Sequence, residues 1–122
     1  MNTIDILKIL TSSTGVTGDE YNDAGLNAEK ILSRYGRVKR TKSGSLSLNI
    51  PGSGKKILLD AHLDRIGLIV TGIDKTGFLR VDKCGGIDRR VMAAARVTVL
   101  GQEKLKGVII STPPHLAKSE DA

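Results

Sequence analysis

Apolar residues recur at helical spacing near the start of the chain. Ile4, Leu7 and Leu10, with Ile6 beside them, follow Asn2 and Thr3, either of which can cap a first turn. The spacing predicts a short opening helix. Ser12, Ser13, Thr14 and Gly15 break the pattern, and Thr17 with Glu20 three residues on has the form of a capping box for a second start. Tyr21, Ala24, Ala28, Ile31, Leu32 and Tyr35 then line one face of a second helix, with Gly36 where a left-handed C-terminal cap is wanted.

Beyond Arg37 the period falls to two. Ser45, Leu46, Ser47, Leu48, Asn49 and Ile50 alternate polar with apolar, the signature of a half-buried strand, and Pro51, Gly52, Ser53 and Gly54 make a turn. Ile57, Leu58, Leu59, Asp60 and Ala61 form an apolar run ending in polar chemistry, which predicts a central strand covered on both faces. Ile66 to Ile73 and Phe78 to Val81 are joined by Asp74, Lys75, Thr76 and Gly77, a hairpin connection with glycine where a positive φ is needed. Shorter strands are expected at Arg96 to Leu100 and Gly107 to Ser111. Helices and strands precede Gly67 and only short strands follow, so the expected organisation is α/β over 1–67 and a β-rich module over 68–122. No internal repeat or low-complexity segment is present.

The 122 residues make room for one compact domain or for two fragments of domains. With 39% hydrophobic and 26% charged residues the composition excludes a disordered chain. No apolar run reaches the ~20 residues of a membrane helix, and Asp5 and Lys8 interrupt any signal-peptide core, so the expected location is cytoplasmic with no membrane partner. The lone Cys84 forms no internal disulfide or thiolate zinc cage and reads as a small, partly buried thiol.

The net charge of +6 is uneven: residues 1–30 carry two basic and five acidic side chains, whereas residues 31–122 carry seventeen against eight. With no Trp, two Tyr and one Phe, the chain has little on which to stack bases. Arg34, Arg37, Lys39, Arg40 and Lys42 therefore read as a solvated rim and not a nucleic-acid site. Gly85 and Gly86 lack the spacing of a phosphate-binding loop and read as a tight turn.

The densest chemistry is Asp60, Ala61, His62, Leu63, Asp64 at the carboxyl end of the apolar run. In extended backbone Asp60, His62 and Asp64 face the same way. A neutral imidazole is a good zinc ligand, and a nearby carboxylate accepts its second N–H, fixes the tautomer and raises its basicity. Spacing alone favours a simply hydrogen-bonded strand histidine over a metal ligand, and zinc needs three or four donors where the chain offers one other histidine, His115.

Three blocks carry a resemblance: Ile57 to Arg80 with its Asp-Ala-His-Leu-Asp core, Gly85-Gly-Ile-Asp-Arg-Arg-Val, and Gly107-Val-Ile-Ile-Ser-Thr-Pro-Pro-His-Leu. In order and spacing they resemble the glutamyl or deblocking aminopeptidases that form tetrahedral particles. Thr14-Gly-Val-Thr-Gly-Asp-Glu, in the place of that family's Ser/Pro-Gly-x-x-Gly-x-Glu segment, extends the likeness over almost the whole chain.

The resemblance implies a peptidase with two divalent metal ions, zinc or cobalt, that removes residues from peptide amino termini by activated water and a glutamate base. It makes His62 a metal ligand and Asp64 the carboxylate that supports it. Arg65 stands where many members have an acidic or amide residue, next to the metal. The implied fold is the start of a mixed α/β zinc-peptidase catalytic domain followed by the first strands of an inserted β-barrel-like domain, to which His115 belongs as a structural or exposed residue. The bridging aspartate, Glu-Glu pair, further aspartate and distal histidine of the family fall beyond Ala122. The expectation is thus the N-terminal part of a homo-oligomeric aminopeptidase, acting on peptides and inactive as an isolated chain with little or no bound metal. A non-catalytic binding or oligomerisation module is the alternative, built on unpaired strand edges. A basic nucleic-acid binder is a weaker third.

Overall fold

The computed structural model describes residues 1–111. The chain divides into two units, Met1–Gly86 and a second that begins at Ile87. Each is mixed from short elements, and every sheet among the described residues is a two-stranded antiparallel pair.

In the first unit, helix α1 (Thr3–Ser12) opens with a capping box: the Asp5 amide donates to Asn2 Oδ1 at 2.9 Å, and the Asn2 amide donates to Asp5 Oδ2 at 3.2 Å. Ile6 and Leu10 turn inward from this helix, while Ile4 and Leu7 stay exposed. It ends on buried Ser13, whose hydroxyl donates to the Ile9 carbonyl at 2.7 Å.

The second helix departs from the expected pattern at both ends. The Thr17–Glu20 capping box does not form, because the Thr17 hydroxyl is engaged elsewhere and Glu20 accepts from the Gly18 amide at 2.5 Å. Residues Tyr21–Gly25 make a π-helical turn, closed by the Gly25 amide on the Glu20 carbonyl at 2.6 Å, before α2 (Leu26–Leu32) begins. Helix α2 stops at Leu32, with Ser33 in a helical conformation as its cap. Gly36 sits at φ +155, far past the roughly +57 of a left-handed cap, and Tyr35 lies outside the helix and is exposed.

The π turn has a local cause. Asp23 accepts from the Thr14 amide at 2.8 Å and its hydroxyl at 3.1 Å, and from Asn27 Nδ2 at 2.9 Å, while the Asn27 amide group also reaches Ser13 Oγ at 3.0 Å. These bonds pin the turn to the end of α1 and leave Ala24 as the one buried hydrophobic side chain among the described residues.

Strand β1 (Val38–Arg40) pairs with β2 (Leu46–Leu48), and along β2 the leucines are half-buried while Ser47 is exposed, as the alternation predicts. Arg40 bridges to Glu29 of α2 at 2.5 Å and lies over the Tyr21 ring, which removes it from the freely solvated rim. Strands β3 (Gly67–Ile73) and β4 (Leu79–Cys84) form the expected hairpin, with Gly77 at φ +93 and a bulge between Val70 and Gly72.

The predicted central strand at 57–61 is absent. Between β2 and β3 the pairing among the described residues is the isolated parallel bridge of Val16 with Arg65. Ile57, Leu58 and Leu59 are 83%, 90% and 90% exposed. A strand exists by lateral hydrogen bonds, and an apolar run without neighbours on either side has none to make.

In the second unit, Asp88 caps a 3₁₀ turn (Arg89–Val91), accepting from the Arg90 amide at 3.0 Å. Strands β5 (Arg96–Leu100) and β6 (Lys104–Val108) pair from Arg96↔Val108 to Leu100↔Lys104, so β6 begins three residues before the predicted Gly107 start. A tight turn over 101–103 brings Lys104 opposite Leu100, which sets that register. The expected residue His115 lies outside the described residues.

Candidate functional site

Backbone placement of the site comes from two loops of the first unit. The Arg65 amide donates to the Gly15 carbonyl at 2.7 Å, which lays residues 62–65 beside residues 15–17. The residues after Arg65 enter β3, and Gly67 faces Val16 so closely that a Cβ there would collide with the valine side chain. The His-x-Asp segment is thereby fixed at its downstream end, while its upstream end runs into the unpaired stretch at 57–61.

His62, Asp64 and Asp60 line an open cleft of ≈ 440 Å³, together with Glu20, Ser43 and Leu63. Ala61 lines it as well, so all five residues 60–64 border the cleft. His62 Nδ1 lies 3.0 Å from the Asp64 carbonyl oxygen and 3.2 Å from Asp64 Oδ1. Both are acceptors only, so Nδ1 is the nitrogen that donates, and in the neutral ring this leaves the lone pair on Nε2. The His62 side chain is 86% exposed, and that of Asp64 39%.

Asp64 Oδ2 accepts a hydrogen bond from the Thr17 hydroxyl at 2.7 Å. That bond first, and the His62 contact second, hold the Asp64 carboxyl below the usual carboxylate range. The carboxylate therefore stays ionised to lower pH than an ordinary aspartate. Sequence spacing did not identify Thr17, since a partner 47 residues away leaves no local signal and its relation to Glu20 reads as a cap.

Arg65 does not enter this cleft's chemistry. Its Nη1 donates to the carbonyl oxygens of Thr11 at 3.0 Å and Ser13 at 2.7 Å, at the C-terminal end of α1. A cation there meets the negative end of the helix. The expected charge next to a metal is instead spent on the helix.

The donor set fits one metal ligand. A neutral imidazole with Nε2 free and Nδ1 held by a carboxylate is the arrangement of a metal-binding histidine with its outer partner. Among the described residues no group of three or more His, Cys, Asp and Glu side chains is placed to hold a metal ion. His62, with Asp64 behind it, could offer one of the three or four donors zinc requires.

A family profile described as M42 glutamyl aminopeptidase matches residues 44–122. The lysyl aminopeptidase of Pyrococcus furiosus is 32% identical over 116 residues, which is 93% of this chain and 34% of that protein. Among solved structures, the TET aminopeptidase of the marine sediment archaeon Thaumarchaeota archaeon SCGC AB-539-E09 matches with a TM-score of 0.85 at 28% identity, over 96% of this chain and 34% of its own. The TET1 peptidase of Pyrococcus horikoshii, which can assemble into a tetrahedron or a large octahedral shell, matches with a TM-score of 0.73 at 34% identity, over 98% of this chain and 36% of its own. The chain spans about a third of the length of the curated relatives it matches.

Proposed function

The chain belongs to the M42 glutamyl aminopeptidase family, and from that premise we propose that it is the N-terminal part of a two-metal aminopeptidase, with His62 as a metal ligand and Asp64 as its outer carboxylate. The observation that carries the reading is the free Nε2 of His62 on the wall of a cleft, its Nδ1 held by Asp64.

A divalent ion of the zinc or cobalt type, when bound, supplies Lewis-acid polarisation of a peptide carbonyl and a lowered pKa for water. What this chain contributes is narrower. Asp64 keeps the Nδ1 proton in place and fixes the ring, and the cleft offers room for a peptide end beside it. The residues that would complete two metal sites and act as general base are not among those placed here, so the 122-residue polypeptide on its own is inactive. Peptides are the substrate class, a homo-oligomer the assembled form and the cytoplasm its place; the strands after Gly67 are the first of an inserted barrel-like domain. The particles formed by the TET1 relative support the oligomer.

The test is a chimera in which this chain replaces the matching third of the Pyrococcus furiosus lysyl aminopeptidase. Release of amino-terminal residues from peptides is expected with added zinc or cobalt, and His62→Gln should lower it by at least about 100-fold, the upper range for loss of a supporting group and a floor for loss of a ligand. An active chimera indifferent to His62→Gln, or turnover by the 122-residue chain alone, would defeat the reading. The alternative, a non-catalytic binding or oligomerisation module, draws on the exposure of Ile57, Leu58 and Leu59.

A further inference from the structure

Asp64 presents two carboxylate oxygens to two different parts of the chain. Oδ1 faces the His62 ring at 3.2 Å, and Oδ2 takes the Thr17 hydroxyl at 2.7 Å. The terminal torsion of an aspartate is broad and nearly two-fold, so a carboxylate bonded on one side only swings freely about it. A second bond, from the opposite side, fixes the plane. Thr17 gives that bond from a loop that is itself tied down, since the Val16 carbonyl accepts from the Asp19 amide at 2.8 Å and Val16 bridges to Arg65.

The His62 ring has little else to orient it. It is 86% exposed, and its two hydrogen-bond contacts are both to Asp64. The backbone carbonyl at 3.0 Å and the carboxylate at 3.2 Å share Nδ1, and of the two only the carboxylate answers to a side chain elsewhere in the chain; a free ring exchanges its proton between the two nitrogens.

We propose that Thr17 is a positioning residue that selects the Nδ1–H tautomer of His62 by holding the Asp64 carboxylate against the ring. The significance of this role rests on the reading of His62 as a metal ligand, because that tautomer is the one that leaves Nε2 with its lone pair directed away from Asp64. The role itself concerns only the chain's own atoms and exists without any metal.

The test uses the ¹⁵N-labelled 122-residue chain without added metal, above the pH at which imidazoles titrate. Long-range ring ¹⁵N–¹H correlations report which nitrogen carries the proton, and His62→Gln assigns the His62 signals against those of His115. The expected wild-type pattern has the proton on Nδ1. Thr17→Ser, which keeps the hydroxyl, should retain it. Thr17→Val, close to threonine in shape but without the hydroxyl, should draw the two nitrogen shifts of His62 together as the other tautomer becomes populated.

A wild-type ring protonated on Nε2 overturns the proposal without recourse to any variant. So does a Thr17→Val ring indistinguishable from wild type, or a Thr17→Ser ring that behaves as Thr17→Val. The amide signals of the β3–β4 hairpin, unchanged across the variants, show that the change is confined to the ring. The chimera separates the two readings: a ring that follows the Thr17 series in the 122-residue chain, beside an active chimera indifferent to His62→Gln, upholds the tautomer role and defeats the ligand role of His62.

Discussion

Arginine at position 65 sits one residue from Asp64, yet its guanidinium runs to the Thr11 and Ser13 carbonyls at the end of α1. Arg65→Gln removes a charged donor from two carbonyls, a loss of about 1–2 kcal/mol to the last turn of α1. Amide exchange at Ser13 and its neighbours in that turn should quicken by about 5- to 30-fold, and an unchanged rate would show that the contact holds nothing. Asp60, His62 and Asp64 were legible in the sequence as a group because they crowd into five residues, all of which border one cleft. Thr17 was illegible because hydrogen bonds to distant backbone or side chains carry no period.

Elements built from local signals were readable and those built from distant ones were not. The opening helix has its cap three residues from its partner, and the β3–β4 hairpin has its turn between its strands, so both lie within reach of short-range pattern. The second helix was misread at its start because Asp23 is recruited by Thr14 and Asn27, which replaces the expected cap with a π turn. The strand at 57–61 was misread because apolarity states that a run wants cover and not whether neighbours are there to give it. One tertiary contact between elements is open to direct test. Gly67→Val forces a branched side chain against Val16 and should cost about 1–3 kcal/mol, the range for overpacking. Amide exchange across β3 would report it. Val16→Ala in the same chain should return most of the loss, since the two positions share one contact.

Across the molecule, apolar side chains of the first unit remain at the surface in quantity: Ile4 and Leu7 on α1, Ile57 to Leu59 in the unpaired run, and Ile69, Val70 and Ile73 on β3. No helix among the described residues is long and apolar enough to cross a membrane, so lipid spanned by helices does not account for this surface. Exposed apolar patches with unpaired strand edges associate. The purified 122-residue chain is therefore expected to run as oligomers in size exclusion with light scattering and to bind a hydrophobic dye. A sharp monomer peak without dye binding would contradict this. The unpaired run also bears on misassociation. Lys55 and Lys56 stand immediately upstream of Ile57, Leu58 and Leu59, two like charges of the kind that flank apolar segments and oppose their stacking.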